Sequence, residues 1–527
     1  MKKLIIVFIP SMLLAVLSSC QRIEISTPIN GRDVCETETE FVTKEGQTVL
    51  GDVIDIPYSI DNLLVAYENL PIETKSQINL SYIQPTHYYI RFYPKSIAEL
   101  DILRNIKPYV FLSETPLDRK IEVGGTSYHD PSIPEDLPTY QYTVVPVQRW
   151  IELEKTVPVE SEILIKAYMP DYDEAYTTKS EEKYGLPPSA YEALMREAYR
   201  ITGNEYDIIP ETKASWTPAG RIRAYDDKTS SYLPVPGVRV RGSHLLNVQE
   251  TLTNSNGVYV LPSFNNSVSY KIIWESDEWD IRDGLIGQAK FDGPTQNNGW
   301  SPDIGTMHEK TVRYAATQRA AYRWYYGSIE GLLRPNMSSK LKICQRVEPE
   351  SHRGVFTNVG LMGWHIETWI RDANGNYRTI HNSFESTAHE IGHAAHYCRV
   401  DTYNSYCESM KESWATFVEG IVSHEEYGEY PVNYTTVHDS WPNITMPKYT
   451  PIFIDLYDSV NQNLINHSTP FDAVSGFNAL QLNLILLNGS TDLETLRENL
   501  SPLPDGVTEL QLDFLFGDYA YHWIEDD

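Results

Sequence analysis

Regular alternation first appears at residues 86–103. There "THYYIRFYP" sets apolar side chains on one face of a strand, and "SIAELDIL" repeats them at helical spacing. The pattern predicts a strand, an amphipathic helix opening near Ser96, and a return strand at "YVFL", residues 109–112. After the proline-rich turns of "DPSIPEDLPTY", the runs "YQYTVVPV" and "ILIKAYM" read as further strands. "GLPPSAYEALMREAYRITGN" has prolines before its periodic stretch and glycine after it, the punctuation of one helix. Residues 20–210 therefore read as a mixed α/β region.

The period shortens between 215 and 277. "GRIRAYD", "GVRVRGS", "TLTNSNGVYVL" and "SVSYKIIW" are brief alternating runs parted by turn residues, which predicts a small antiparallel β-sandwich. Over 285–527 the pattern is mainly helical, led by "TVRYAATQRAAYRWYYGSIEGLL". "KLKICQRVE" and "GWHIETWIRDANGNYRTI" enter as strands, the second folding back at Asn374-Gly375. Asp372, Asn374 and Asn376 have calcium-loop spacing, but Tyr377 stands where that loop needs glycine, so the reading is a turn. The fold class that follows is multidomain α+β, its last unit mainly helical with a short β-sheet.

At 527 residues the chain exceeds one ordinary hydrophobic core. A formal charge of −29, with no stripe of Lys and Arg, argues against a nucleic-acid partner. Lys2 and Lys3 precede an apolar run, Leu4 to Leu17, too short to span a bilayer. The "LSSC" that ends it, Leu17 to Cys20, resembles the lipobox of bacterial lipoproteins. The resemblance implies a signal peptide over 1–19, lipidation of Cys20, and a place in the bacterial cell envelope, anchored by lipid to the outer membrane or cell surface. Four more cysteines follow; for Cys398 and Cys407, a disulfide and two thiols are both open.

Candidate chemistry concentrates in "STAHEIGHAAHYC", residues 386–398. Asn382 and Glu385 have capping-box spacing, so a helix should start there. His389 and His393 then share a face, with Cβ atoms about 5–6 Å apart. Two imidazoles at that separation can hold one metal ion at roughly 2.0–2.1 Å each. Glu390 lies one residue round, within reach of a metal-bound water. A second helix is predicted in "SYCESMKESWATFVEGIVSHEE", with Ser405 and Glu408 as its capping box. Its polar face carries Glu408, Glu412, Ala415, Thr416 and Glu419. The small Ala415 and Thr416 permit close approach, and Glu412 is the candidate third ligand. Two histidines and one glutamate leave a fourth position open, the mark of a catalytic site. His396, Glu408 and Glu419 remain competing ligands.

H-E-x-x-H, followed after eighteen residues by the glutamate of "ESWATFVE", resembles the gluzincin metallopeptidases. "PIFIDLYDSVNQ" looks like the helix that packs behind such sites. The resemblance implies a zincin-like domain over 285–527, Zn2+ held by His389, His393 and Glu412, and Glu390 as general base in peptide-bond hydrolysis. No GxMEN strand precedes the helix, so aminopeptidase specificity is not implied. The donor to the reaction's oxyanion is open among His424, Tyr427, Tyr430, Tyr434, His438 and Tyr449, and "GWHIETWI" is the candidate cleft edge. "PVPGVRVR" followed by "TLTNSNGVYVL" resembles the carboxypeptidase-regulatory-like β-sandwich modules, implying a folding or spacing role for 215–277. The expected partners are a peptide or glycoprotein substrate and a membrane. Two other classes stay open: an envelope lipoprotein that binds glycans or glycoproteins without catalysis, and a structural metal site closed by His396.

Overall fold

Side-chain caps open the first long helices: Ser59 accepts the Asn62 amide and Ser96 the Glu99 amide, both at 3.2 Å. The structure is a computed structural model that describes residues 46–170, 187–204, 215–327, 329–358, 362–431, 449–460 and 470–522. The leader over 1–19, Cys20, Cys35, Tyr434 and His438 lie outside the described residues. The first region holds β1 (Val49–Val53), α1 (Ile60–Asn69), α2 (Ile72–Lys75), β2 (His87–Phe92) and α3 (Ile97–Arg104). It continues with β3 (Arg119–Val123), β4 (Gln141–Pro146), α4 (Val147–Thr156), β5 (Ser161–Ala167) and α5 (Pro188–Ile201).

β2 lies between β4 and β5 in an antiparallel sheet, and its alternation serves two cores. Ile90 and Phe92 pack on Leu103, Trp150 and Leu153, while Tyr89 packs with Tyr142 and Val144 on the opposite face. The return strand predicted at 109–112 does not form; only Ser113 bridges β4, at Tyr142. The segment instead divides its side chains between the two cores, Val110 to one and Phe111 to the other.

The second region holds β6 (Ala219–Arg221), β7 (Arg223–Asp226), β8 (Ser231–Pro234), β9 (Arg239–His244), β10 (Asn247–Leu252), β11 (Val258–Val260) and β12 (Val268–Ile273). Next come β13 (Trp279–Asp283), β14 (Gly287–Gln288), β15 (Lys290–Gln296) and β16 (Asp303–Ile304). β15 returns to the order β10-β9-β12-β15, and β16 joins β7 and β8. β13 and β14 leave for a five-stranded sheet with β17 (Leu341–Arg346), β18 (Gly354–Asn358) and β19 (Trp364–Trp369), ordered β14-β13-β17-β19-β18. "GWHIETWI" is therefore an interior strand, and β18, whose sequence carries little alternation, forms the edge.

The remaining helices are α6 (Glu309–Tyr326), α7 (Ile380–Tyr397), α8 (Glu408–Tyr427), α9 (Ile452–Tyr457), α10 (Ala479–Leu487), α11 (Leu493–Asn499) and α12 (Glu509–His522). The whole is a mixed α+β architecture. One hydrophobic core runs from the strands of the second region (Val240, Ile272) through α6 and α7 (Ala316, Ile391) to the last helices (Leu482, Leu515). No helix among the described residues is long and apolar enough to cross a membrane.

The turn between β7 and β8 ties the strands of the second region to the helices. Asp226, fully buried, accepts from Arg319 Nη2 of α6 and from the Tyr427 hydroxyl of α8. Asp227 accepts the backbone N–H groups of Ile380 and His381 at 2.5 and 3.0 Å and pairs with His381 Nδ1 at 2.7 Å. A carboxylate from more than 150 residues upstream thus caps α7. The capping box expected at Asn382 and Glu385 is absent because the helix already begins at Ile380; the Asn382 amide reaches Glu385 at 3.4 Å instead. α8 likewise starts later than Ser405, whose hydroxyl donates to the Thr402 carbonyl.

Burial alone would raise the Asp227 carboxyl, but the His381 ring and the two amides outweigh it and hold it down at about 2. The unfolded chain titrates near 3.9, so this stabilisation is present above that pH and is lost as pH falls towards 2. Asp227→Ala is expected to lose about 1–2 kcal/mol at neutral pH, read as a lower urea midpoint. The deficit should shrink in acid, and an unchanged neutral midpoint would reject the cap.

Candidate metal centre

α7 carries its chemistry into the interior. Ile380, Ser383 to His396 and the facing stretch of α8 are buried, so the two helices meet over polar side chains. Small residues allow the approach: a Cβ added at Gly392 would stand 3.4 Å from Ala415 Cα. Ala415 and Thr416 occupy the face where close packing was expected.

The approach brings His389, His393 and Glu412 together. One ligand atom from each lies within 4.8 Å of the others. His389 Nε2 is 3.2 Å from Glu412 Oε2, and His393 Nε2 is 3.5 Å from Glu412 Oε1. The outer nitrogens have partners of their own. His389 Nδ1 meets Glu419 Oε2 at 3.1 Å, and His393 Nδ1 meets the Tyr403 hydroxyl at 3.3 Å. Arg353 Nη2 holds the other Glu419 oxygen at 3.3 Å. Each imidazole is thereby turned so that Nε2 faces its neighbour, the orientation that outer partners impose on metal-ligating histidines.

Electrostatics describes the same group. Burial opposes a charge on His389, yet Glu412 and Glu419 push it up to about 10. Glu412 is held far below the usual carboxylate range: burial works against this, and the two histidines outweigh it. Two imidazoles and one carboxylate are a donor set that fits zinc.

Glu390 stands beside this group without joining it. Its carboxyl is buried, its Oε2 has no hydrogen-bond partner, and burial raises its pKa. The backbone of β18 passes directly against it. A Cβ at Gly354 would lie 2.6 Å from Glu390 Oε1 and 2.8 Å from its Cγ.

The competing ligands stand apart. His396 is fully buried between the rings of Tyr403 and Tyr406, and burial holds it down at about 3. Glu408 is at the exposed start of α8, and Glu419 turns to His389 as an outer partner. Of the oxyanion candidates, Tyr449 lies at the centre, its ring 6.3 Å from that of His389. Tyr427 is engaged by Asp226, and His424 stacks on Tyr430. Cys398 is a thiol whose sulfur accepts the Asn336 amide, so no disulfide closes the loop to Cys407. Tyr403, Arg353 and Gly354 escaped the sequence reading, since loop and edge residues carry no periodic signal. Glu419 was visible as a face-mate of Glu412, seven residues and two turns on, though not as an outer partner.

Competition with a chromogenic chelator should measure one tight zinc equivalent per chain, with Glu412→Gln abolishing it. Glu419→Gln is expected to weaken binding by about 10–100-fold. Unchanged affinity in both variants would remove these roles. No family model matches this chain, and no curated protein matches it.

Proposed function

We propose that the chain is a zinc-dependent peptidase of the gluzincin kind. It would hydrolyse peptide bonds of extracellular proteins or glycoproteins, with Glu390 as general base. The observation that carries the reading is the convergence of His389, His393 and Glu412 beside a buried carboxylate that is not one of them. On this reading the helices from α6 onward and the five-stranded sheet form a zincin-like catalytic domain. The sandwich is a carboxypeptidase-regulatory-like module built into its support.

When bound, zinc supplies Lewis acidity, polarising a substrate carbonyl and lowering the pKa of water. Glu390 takes a proton from the attacking water and returns it to the leaving amine. Its raised pKa suits both halves of that exchange. Glu419 and Tyr403 keep the two imidazoles aimed, and Tyr449 supplies a hydroxyl to the developing oxyanion. β18 offers a sheet edge to which an extended peptide can add as another strand, with Gly354 bringing that edge onto Glu390. The lipobox at Leu17 to Cys20 supports an envelope location with the enzyme tethered by lipid; Cys20→Ser should abolish palmitate labelling, and persisting label would refute the anchor.

Glu390→Gln is expected to retain zinc and lose about 10²–10⁴-fold or more in kcat on a broad peptide and glycoprotein library. Gly354→Ala should also retain zinc while lowering kcat, because the new methyl displaces the base rather than a ligand. Wild-type turnover in Glu390→Gln would sink the mechanism. A zinc-loaded wild type inert to every substrate would favour the non-catalytic alternative.

A further inference from the structure

Away from the metal centre, β12 and β15 carry buried charged side chains that the peptidase reading does not use. Lys271 and Asp292 are direct partners across the antiparallel ladder, and Lys290 shares the face of Asp292 two residues earlier. The side chains of Lys271, Lys290 and Asp292 are 11%, 4% and 3% exposed. The Asp292 carboxylate is held unevenly. Its Oδ2 accepts Thr48 Oγ1 at 2.7 Å, the Gly125 amide at 3.0 Å and Lys290 Nζ at 2.6 Å. Oδ1 lies outside that ring of donors, 3.2 Å from Lys271 Nζ. Glu114 lines the same cavity as both lysines, and its Oε2 has no hydrogen-bond partner.

Both amines press on the Asp292 carboxylate, while Glu114 in the same cavity is already held through Oε1 by Arg104 at 3.1 Å and the Gln288 amide at 2.9 Å, in a place where stranded charge is costly. Burial is the largest influence on each amine, bringing Lys290 down to about 7 and lowering Lys271. Burial also raises Glu114, a group able to hold a proton there. Asp292 itself is pulled well below its usual range by the lysines, with burial opposing, so a proton must cross from Lys271 before it can react. The 3.2 Å contact provides the path. Three donors on Oδ2 match the need of a tetrahedral centre at Cγ. The held geometry supplies proximity.

We propose that Lys271 and Asp292 condense into an intramolecular amide that locks β12 to β15, with Glu114 carrying the proton. One proton passes from Lys271 Nζ to Asp292 Oδ1, leaving an amine beside a carboxylic acid. The Nζ–Cγ bond forms, and a second amine proton travels through the Glu114 carboxyl to Oδ1. The Cγ–Oδ1 bond then breaks and releases one water. No oxidant, reductant or co-reactant enters. The product removes one amine and one carboxylate together and leaves Lys290 facing Glu114 as its counter-charge.

The test is tryptic mass spectrometry of the full chain purified from cells. The amide blocks cleavage after Lys271 and joins the peptide 242–282 to the peptide 291–310, at their summed mass less one water. Glu114→Gln, checked for wild-type zinc content and circular dichroism, should yield the two peptides separate. Recovery of unlinked 242–271 and 291–310 in full yield from the wild type overturns the proposal. Attachment through Lys290 instead would do the same, and a persistent link in Glu114→Gln would overturn the role of that carboxyl.

Discussion

The structure turns on burying charge inside a helix pair. α7 takes Glu385, His389, Glu390, His393 and His396 out of water, and α8 faces it with Glu412 and Glu419. Isolated charges in such a place are prohibitive, so each must be paired, neutral or bound to a cation. Arg353 and Lys228 meet the carboxylates at one end, Glu385 with both and Glu419 with Arg353. His396 stays neutral between two tyrosine rings. His389, His393 and Glu412 remain, facing one another as the three donors a divalent ion would take.

That requirement explains why the strands of the second region share a core with the helices. Ile380 and Phe384 seat the start of that helix in the core, but no side chain of its own first turn caps its amides. The β7–β8 turn does so from outside, with Asp226 on α6 and α8 and Asp227 on the first amides of α7. The sheet of β7, β8 and β16 thus helps to position α7. Its turn sets the register of the histidines from the N-terminal end, while Glu419 and Arg353 orient the rings from the side. β18 completes the enclosure by laying backbone against Glu390.

What could be read from the sequence followed from local periodicity. Helical spacing put His389 and His393 on one face, and the small Ala415 and Thr416 beside Glu412 marked the surface that α7 would meet. Ser96 announced its helix by the same local logic. Long-range features left no such trace. Asp227 is separated from the helix it caps by more than 150 residues, so the nearer Asn382 and Ser405 drew the capping boxes to the wrong positions. β18 is short and irregular in pattern, and the edge was assigned to the more regular "GWHIETWI". "YVFL" looked like a strand because both of its faces are apolar, which two cores require as readily as a ladder does. β15 and β16 rejoin the sheets of β9 and β7 after an excursion through β13 and β14, a return that composition does not signal.

The proposed chemistry requires a single cation gripped by His389, His393 and Glu412 with one coordination position left to solvent. Anomalous diffraction at the zinc edge, from crystals of the zinc-loaded protein, addresses it most directly. One peak is expected, bounded by His389 Nε2, His393 Nε2 and a Glu412 oxygen, its fourth neighbour a non-protein oxygen. A peak completed by His396, or one from which the Glu412 carboxylate has turned away, would contradict it.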